Sequence, residues 1–210
     1  MGSTWAITLI AGVLFTPLFM TQGLGRFDFW WWMSTNLTIL LVLVAIFDRQ
    51  WWSEIRIDIK HRTLLKVGFG VLSALFLYIV FYTGNIVSRQ IFSFAKSGIE
   101  NVYAFKSGVS PFRIAVLMVL LIGPGEELFW RGFLQRRLQM EQGRWRGFII
   151  ATSIYTLVHL ASGNAMLIFA AGLCGLFWGF FYVQKGSILL NIVSHTVWDV
   201  AIFLVFPVIE

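Results

Sequence analysis

Six ionisable side chains interrupt apolar stretches in the second half of the sequence. They are Glu126, Glu127 and Arg131 in a first stretch, His159 in a second, and His195 and Asp199 in a third. Carboxylates and imidazoles act as general bases and stabilise developing charge in hydrolytic reactions. The same groups also bind zinc. From the residues alone, the clusters predict either activation of a water molecule or a metal site with mixed His and carboxylate ligands.

The sequence around the two glutamates predicts different roles for them. Gly123-Pro124-Gly125 comes just before them and predicts a break or kink in the helix, because proline removes a backbone donor. Glu127 and Arg131 are four residues apart and share a helix face, which favours an ion pair. Glu126 lies about 100° further round the helix and has no local partner. We therefore expect Glu127 to be a structural partner of Arg131. The same role is less expected for Glu126, because one arginine rarely needs two buried acids.

His195 and Asp199 are also four residues apart, which predicts a hydrogen-bonded pair on one helix face. By itself such a pair is equally typical of helix packing. His159 taken alone is more typical of a satisfied polar residue than of a catalyst. Three apolar stretches that all carry acid–base groups favour a functional site, because ionisable groups are costly in lipid.

The composition indicates that lipid surrounds most of the chain. Hydrophobic residues make up 58% of the 210 residues and charged residues 12%, whereas soluble domains carry roughly 25% charged residues. The mean hydropathy is +0.79. A soluble globule and a disordered chain are both excluded. The net charge of +6 does not indicate nucleic acid, because the basic residues lie mostly between apolar stretches.

Hydrophobic stretches long enough to cross a bilayer predict an all-α, polytopic transmembrane bundle of about seven spans, within a range of six to eight. The fourth span is expected to be broken at Pro124. The expected spans are Trp5–Met20, Phe29–Phe47, Leu64–Tyr82, Pro111–Leu134, Phe148–Leu160, Ala165–Val183 and Ile188–Val208.

Basic residues assign the two sides of the membrane. Ten lie in or beside the even-numbered connections: Arg49, Arg56, Lys60, Arg62, Lys66, Arg136, Arg137, Arg144, Arg146 and Lys185. Five lie on the other side: Arg26, Arg89, Lys96, Lys106 and Arg113. Cytoplasmic connections carry the excess of Lys and Arg. The count therefore predicts that the N-terminus and the even connections are cytoplasmic. The third connection, Thr83–Ser110, is expected to lie on the membrane surface.

The ordered set of clusters resembles the CAAX protease and bacteriocin-processing family, which is related to the type II CAAX prenyl endopeptidases. Its Glu-Glu-x-x-x-Arg motif matches at Glu126, Glu127 and Arg131. Its Phe-x-x-x-His motif matches at Tyr155 and His159, with tyrosine in place of phenylalanine. Its His-x-x-x-Asn motif matches at His195 and Asp199, with aspartate in place of asparagine.

The resemblance covers residues 111–207, and residues 1–110 carry no motif of the family. We expect one integral membrane domain in which 111–207 form the protease core. The resemblance implies a glutamic-type intramembrane endopeptidase of a multi-pass protein, in a prokaryotic plasma membrane. Its partners would be the lipid bilayer and a membrane-associated peptide or precursor protein.

The resemblance also implies a role for each site residue. Glu126 and His159 would hold and activate the water, and His195 with Asp199 would stabilise the oxyanion. Glu127 and Arg131 would brace the site. An ionised aspartate cannot donate a hydrogen bond, so the oxyanion role falls on His195 unless Asp199 is protonated. We expect no cofactor, because the sequence has no His-Glu-x-x-His motif and no cysteine pair.

Three alternatives remain. A zinc-dependent membrane protease would use Glu126, His159 and His195 as metal ligands. A non-catalytic scaffold or immunity protein could have kept the protease fold, although a scaffold has no reason to keep Glu126 unpaired. A proton-coupled transporter would usually show two matching broken helices, and the sequence predicts one break.

Overall fold

The computed structural model describes residues 2–209, and helices make up most of them. In chain order they are α1 (Gly2–Thr21), α2 (Phe29–Phe47), α3 (Arg49–Lys60), α4 (Thr63–Ile91), α5 (Ala95–Tyr103), α6 (Pro111–Gln142), α7 (Arg144–Val158), α8 (Ala165–Lys185) and α9 (Ile188–Val205). Short 3₁₀ turns, Ala104–Lys106 and His159–Ser162, follow α5 and α7. A two-stranded antiparallel hairpin, β1 (Gly23–Leu24) and β2 (Phe27–Asp28), joins α1 to α2.

Short polar side chains set where several helices begin. The carboxylate of Asp28 accepts hydrogen bonds from the backbone N–H groups of Trp30 and Trp31 at the start of α2. Asn164 caps α8 in the same way, and the Ser187 hydroxyl accepts from Leu190 in α9. These caps satisfy backbone donors that a helix start leaves unpaired, and they fix where the site helices start.

Five helices are long and apolar enough to cross a membrane: α1, α2, α4, α8 and α9. A sixth span results if Ala95–Lys106 and Pro111–Gln142, which meet at a bend of 91°, count as one. The prediction of an all-α membrane bundle is confirmed, and the number of spans roughly agrees with the expected seven. Helix α7 has 15 residues, so it extends about 22 Å and is shorter than a bilayer core of roughly 30 Å.

The sharp bend lies ahead of α6, and the chain stays helical through Gly123-Pro124-Gly125. Around this tripeptide the helix is distorted: Met118–Ile122 and Trp130–Gln135 form π-helical turns. Proline cannot donate to the preceding turn, and a wider π turn accommodates the lost bond without ending the helix. The residues that follow Pro124 therefore remain on one continuous helix.

The helices begin and end at two ends of the bundle, which differ in the number of basic residues they contain. The basic end contains the ten basic residues of the even connections, and its contacts join distant segments. Thr4 donates to Glu141 over 3.2 Å, Arg136 pairs with Asp48, and Arg144 donates to the Val183 carbonyl over 2.7 Å.

The opposite end contains the hairpin, α5 and the start of α6. Here Arg113 pairs with Asp28, and the Trp30 indole donates to the Phe105 carbonyl over 2.9 Å. Lys106 donates to the Phe203 carbonyl over 2.8 Å at the end of α9. The distribution of basic residues predicts that the N-terminus and the even connections lie on one side of the membrane, and these contacts group the same segments at one end of the bundle.

The expected surface segment Thr83–Ser110 is more helical and more deeply packed than its sequence suggests. Helix α4 continues through its first residues to Ile91, and α5 buries Ala95, Ile99 and Tyr103. The Tyr103 hydroxyl donates to the Ile202 carbonyl in α9 over 2.7 Å. This segment therefore forms a wall of the bundle beside the ends of α8 and α9.

Glycines bring α8 close to α7. A Cβ atom on Gly175 would lie 3.1 Å from the side chains of Thr152 and Tyr155, and one on Gly179 would lie 2.7 Å from the Phe148 ring. This close approach puts Tyr155 beside the polar residues of α6 and α9.

Candidate active site

Glu127 connects α6 and α9 at the centre of the bundle. Its side chain is fully buried, and one carboxylate oxygen accepts from Arg131 over 2.9 Å and from His195 Nδ1 over 2.8 Å. The other oxygen accepts from the Asn191 amide over 3.2 Å. Because a carboxylate only accepts, His195 carries a proton on Nδ1. Glu127 thus fixes both the position and the protonated nitrogen of this histidine.

Arg131 is held on several sides besides its ion pair with Glu127. Its guanidinium donates to the Cys174 carbonyl over 3.3 Å. It also lies 4.7 Å from the centre of the Tyr155 ring and 5.6 Å from that of Trp178. The sequence predicted the ion pair from the spacing of four residues, and the structure forms it. The arginine joins α6 to α7 and α8.

His195 does not form the expected hydrogen bond with Asp199. Its Nε2 atom lies 3.6 Å from the Asp199 carboxylate, beyond hydrogen-bond distance. The partner on the other nitrogen is Glu127, and the Trp178 ring stacks on the imidazole with 3.7 Å between ring centroids. Spacing on α9 places Asp199 nearby, but the orientation of the ring is set from α6 and α8.

Glu126 lies on a different face of α6 from Glu127. The Tyr155 hydroxyl donates to one of its carboxylate oxygens over 3.0 Å, and it accepts no other hydrogen bond within residues 2–209. This hydroxyl is the feature in which the second motif departs from phenylalanine. Glu126 is therefore positioned by one neutral donor and has no basic partner.

His159 lies at the junction of α7 with the 3₁₀ turn that follows. Its Nδ1 atom is 2.8 Å from the Tyr155 carbonyl, and because a carbonyl can only accept, Nδ1 carries the proton. The Nε2 atom then presents a lone pair, and no other group in the described part of the chain bonds to it. The Phe19 ring packs against the imidazole, with centroids 4.5 Å apart.

A cavity of about 110 Å³ brings four predicted residues together. Glu126, His159, His195 and Asp199 all line it, together with Tyr155 and several apolar side chains. Glu127 and Arg131 lie behind this wall, where they hold His195 and Tyr155. A cavity of this size has room for a few water molecules, and the acid–base groups in its wall can hydrogen-bond to them. Two carboxylates and two imidazoles thus surround a small space in the interior of the bundle.

A comparison with known families identifies the same part of the chain. Residues 108–201 match the family described as type II CAAX prenyl endopeptidase Rce1-like. This segment, a little under half of the chain, is similar to the CAAX protease family. The match includes every ionisable residue of the site. The apolar helices and this family together describe an integral, multi-pass membrane protein. No curated protein and no solved structure matches the chain.

The geometry of the site residues bears on the zinc alternative. Within residues 2–209, no three His, Cys, Asp or Glu side chains converge closely enough to hold a metal ion. Glu126, His159 and His195 line one cavity, but they do not form a ligand set. The absence of a metal requirement stays a prediction for experiment.

Two residues that support His195 were not predicted from the sequence. Asn191 lies one turn before it on α9, is fully buried, and donates to Glu127 and to the Trp178 carbonyl. Its signal was present, because a polar side chain within a membrane span is costly and needs a partner. Trp178 could not be recognised in this way, since a tryptophan in an apolar helix is typical of a hydrophobic core.

Proposed function

We propose that this protein is a member of the CAAX protease family and an intramembrane endopeptidase that hydrolyses a peptide bond of a membrane-associated peptide or precursor protein. The observation that carries the proposal is the convergence of Glu126, His159, His195 and Asp199 on one cavity. Each of these groups is costly to place in lipid, and together they can deliver both a base and an oxyanion donor.

Glu126 is the general base and His159 positions the water. The lone pair on His159 Nε2 accepts a hydrogen bond from the water, while the Glu126 carboxylate takes its other proton as the oxygen attacks the scissile carbonyl carbon. Glu126 then returns that proton to the leaving amine as the carbon–nitrogen bond breaks. Tyr155 keeps the Glu126 carboxylate in place during both transfers.

His195 stabilises the negative charge that develops on the scissile carbonyl oxygen. Its Nδ1–H bond to Glu127 fixes the ring, so Nε2 faces the Asp199 side of the cavity. In its imidazolium form it donates from Nε2 to the oxyanion. The carboxylates of Glu127 and Asp199 stabilise that positive charge, and Arg131 keeps Glu127 ionised and in position.

The test compares membrane proteomes of cells that produce the wild type, Glu126→Gln or Glu100→Gln. Glu100→Gln is the matched control, because Glu100 is exposed and its nearest cation, Lys96, is 4.0 Å away on the surface. We expect uncut precursors to accumulate with Glu126→Gln alone, because an amide cannot take the water's proton. General-base catalysis contributes about 10²–10⁴-fold. Full activity of a folded Glu126→Gln protein would contradict the mechanism, whereas equal precursor levels in cells with and without the protein would favour a scaffold.

We also propose that the reaction needs no metal. With an identified precursor as substrate, we expect turnover to persist after exhaustive chelation, with metal content measured on the same sample. One zinc per chain that is lost together with activity, and that restores activity when added back, would establish the zinc-dependent alternative.

A further inference from the structure

The rim of the catalytic cavity lies at the opposite end of the bundle, which contains the hairpin, α5 and the start of α6. Most residues that line the cavity are buried, and those that remain half-exposed mark where it approaches the surface. They are Val102, Phe105, Leu167, Ala170 and Phe203. They come from α5 and the turn after it, from the first turns of α8, and from the last turn of α9. All of these elements meet at the opposite end.

The side of the site that faces the basic end is closed. Arg131, Gln135 and Leu138 follow one another along α6 toward that end, and each is at most 2% exposed. Trp178 is fully buried beside them. The Gln135 amide donates to the Gly179 carbonyl over 2.9 Å, which closes the contact between α6 and α8. A polypeptide has no visible route to Glu126 through this packing.

A second cavity widens the approach at the opposite end. Its volume is about 290 Å³, and it shares Val102, Leu167, Ala170, Trp198 and Phe203 with the catalytic cavity. From there it extends along the last turns of α4, from Val80 to Ser88, under apolar side chains. The approach to the site is thus largely apolar and lies where α4, α5 and α8 meet.

The distribution of basic residues orients these two ends in the membrane. Ten Lys and Arg residues lie in or beside the connections at the basic end and five lie at the opposite end. Arg131, the sixteenth, is buried in the interior of the bundle. Because Lys and Arg are enriched in cytoplasmic connections, the basic end is cytoplasmic. The rim of the cavity then faces the non-cytoplasmic side.

We infer that the substrate is an exported or membrane-inserted polypeptide that presents an apolar segment to the site from the non-cytoplasmic side of the membrane. This inference rests on the proposed peptidase function and names its substrate class. Two observations support this inference: the rim of the catalytic cavity lies at one end of the bundle, and the excess of basic residues lies at the other. A substrate presented from the cytoplasmic side would, by contrast, meet the closed side.

Cysteine labelling tests the side of access without requiring activity. Cys174 lines the cavity, so each variant is made in a Cys174→Ala background. Ala170→Cys and Val102→Cys report the rim, while Ser107→Cys and Ser53→Cys report exposed positions at the opposite and basic ends. We expect a membrane-impermeant thiol reagent to label the first three in intact cells, and Ser53→Cys after permeabilisation alone. The reverse pattern would overturn the inference.

The precursors that accumulate with Glu126→Gln supply the second arm of the test. Intact cells are treated with an external protease, and the uncut segments of these precursors are followed by mass spectrometry. We expect those segments to be degraded from outside. Precursors protected in intact cells would overturn the inference even if the enzyme is active. Absence of any precursor would instead contradict the proposed function, while the labelling result would still decide the side of access.

Discussion

The two halves of the chain supply different parts of one cavity. Residues 111–207 provide the groups that can react. Residues 2–110 provide apolar walls, chiefly Phe19, Phe29, Trp30, Met33 and Phe105. Reacting groups need fixed types and positions, whereas a wall needs shape and apolar surface. This difference explains why the family match covers the second half and why the first half carries no motif.

The first half also supports α6 from behind. The Trp51 indole donates to the Leu128 carbonyl over 3.2 Å, and a Cβ atom on Gly125 would lie 3.3 Å from the Leu37 side chain. Helix α6, which contains the two glutamates, is therefore held in place by residues whose side chains cannot take part in the reaction. We expect substitutions in the second half to affect turnover or folding, and those in the first half to affect substrate binding.

The largest effect is expected from Glu127→Gln. The change leaves Arg131 without its carboxylate and removes the acceptor that orients His195. Removing one partner of a buried ion pair costs roughly 3–5 kcal/mol, so the free energy of unfolding in detergent should fall by about that amount and turnover should fall with it.

The matched control for Glu127→Gln is Glu54→Gln at the basic end. Glu54 pairs with Arg136 over 2.7 Å, but its side chain is 48% exposed. Exposed pairs contribute about 0–1 kcal/mol, so this variant should remain close to the wild type. Equal stability of the two variants would show that the Glu127 network does not hold the second half together.

Asp199 should give the next largest effect, this time on turnover. Asp199→Ala removes a negative charge beside His195 Nε2, and we expect turnover to fall by roughly 10²–10³-fold, as for the loss of one oxyanion contact. Asp199→Asn should keep substantial activity, because its amide can donate to the oxyanion directly.

The measurement for Asp199 is a pH–rate profile of the three proteins in the same detergent. The asparagine variant should lose activity at alkaline pH earlier than the wild type, since the imidazolium of His195 then lacks one carboxylate. Identical profiles for aspartate, asparagine and alanine would show that Asp199 has no role in turnover and serves only in helix packing.

Much of the site could be predicted because lipid makes polar residues rare. Glu126, His159 and His195 each interrupt an apolar stretch, so the cost of placing them there marked them in the sequence. The spacing of Glu127 and Arg131 also gave their ion pair. These predictions needed only the periodicity of one helix and the polarity of its surroundings.

Partners on different helices could not be predicted in the same way. Spacing puts His195 and Asp199 on one face, but the ring is oriented by Glu127, 68 residues away in the chain. The distorted helix at Pro124 shows the same limit. Local sequence indicates a lost hydrogen bond, but it does not show that the helix continues with a π turn where Gly123 packs against α9 and Gly125 against α2.

The smallest effect is expected in the first half, at Phe19. Its ring packs on His159 and lines the cavity, yet it carries no group that can react. Phe19→Leu keeps the wall apolar but changes its shape. We expect KM for an identified precursor to rise roughly tenfold, the lower end of what a hydrophobic pocket discriminates, while kcat stays near the wild-type value. Phe47→Leu is the matched control, because Phe47 lies on the first half's exposed surface at the end of α2. A fall in kcat with unchanged KM would place Phe19 in the chemical step through His159, and the division between a reacting half and a binding half would fail.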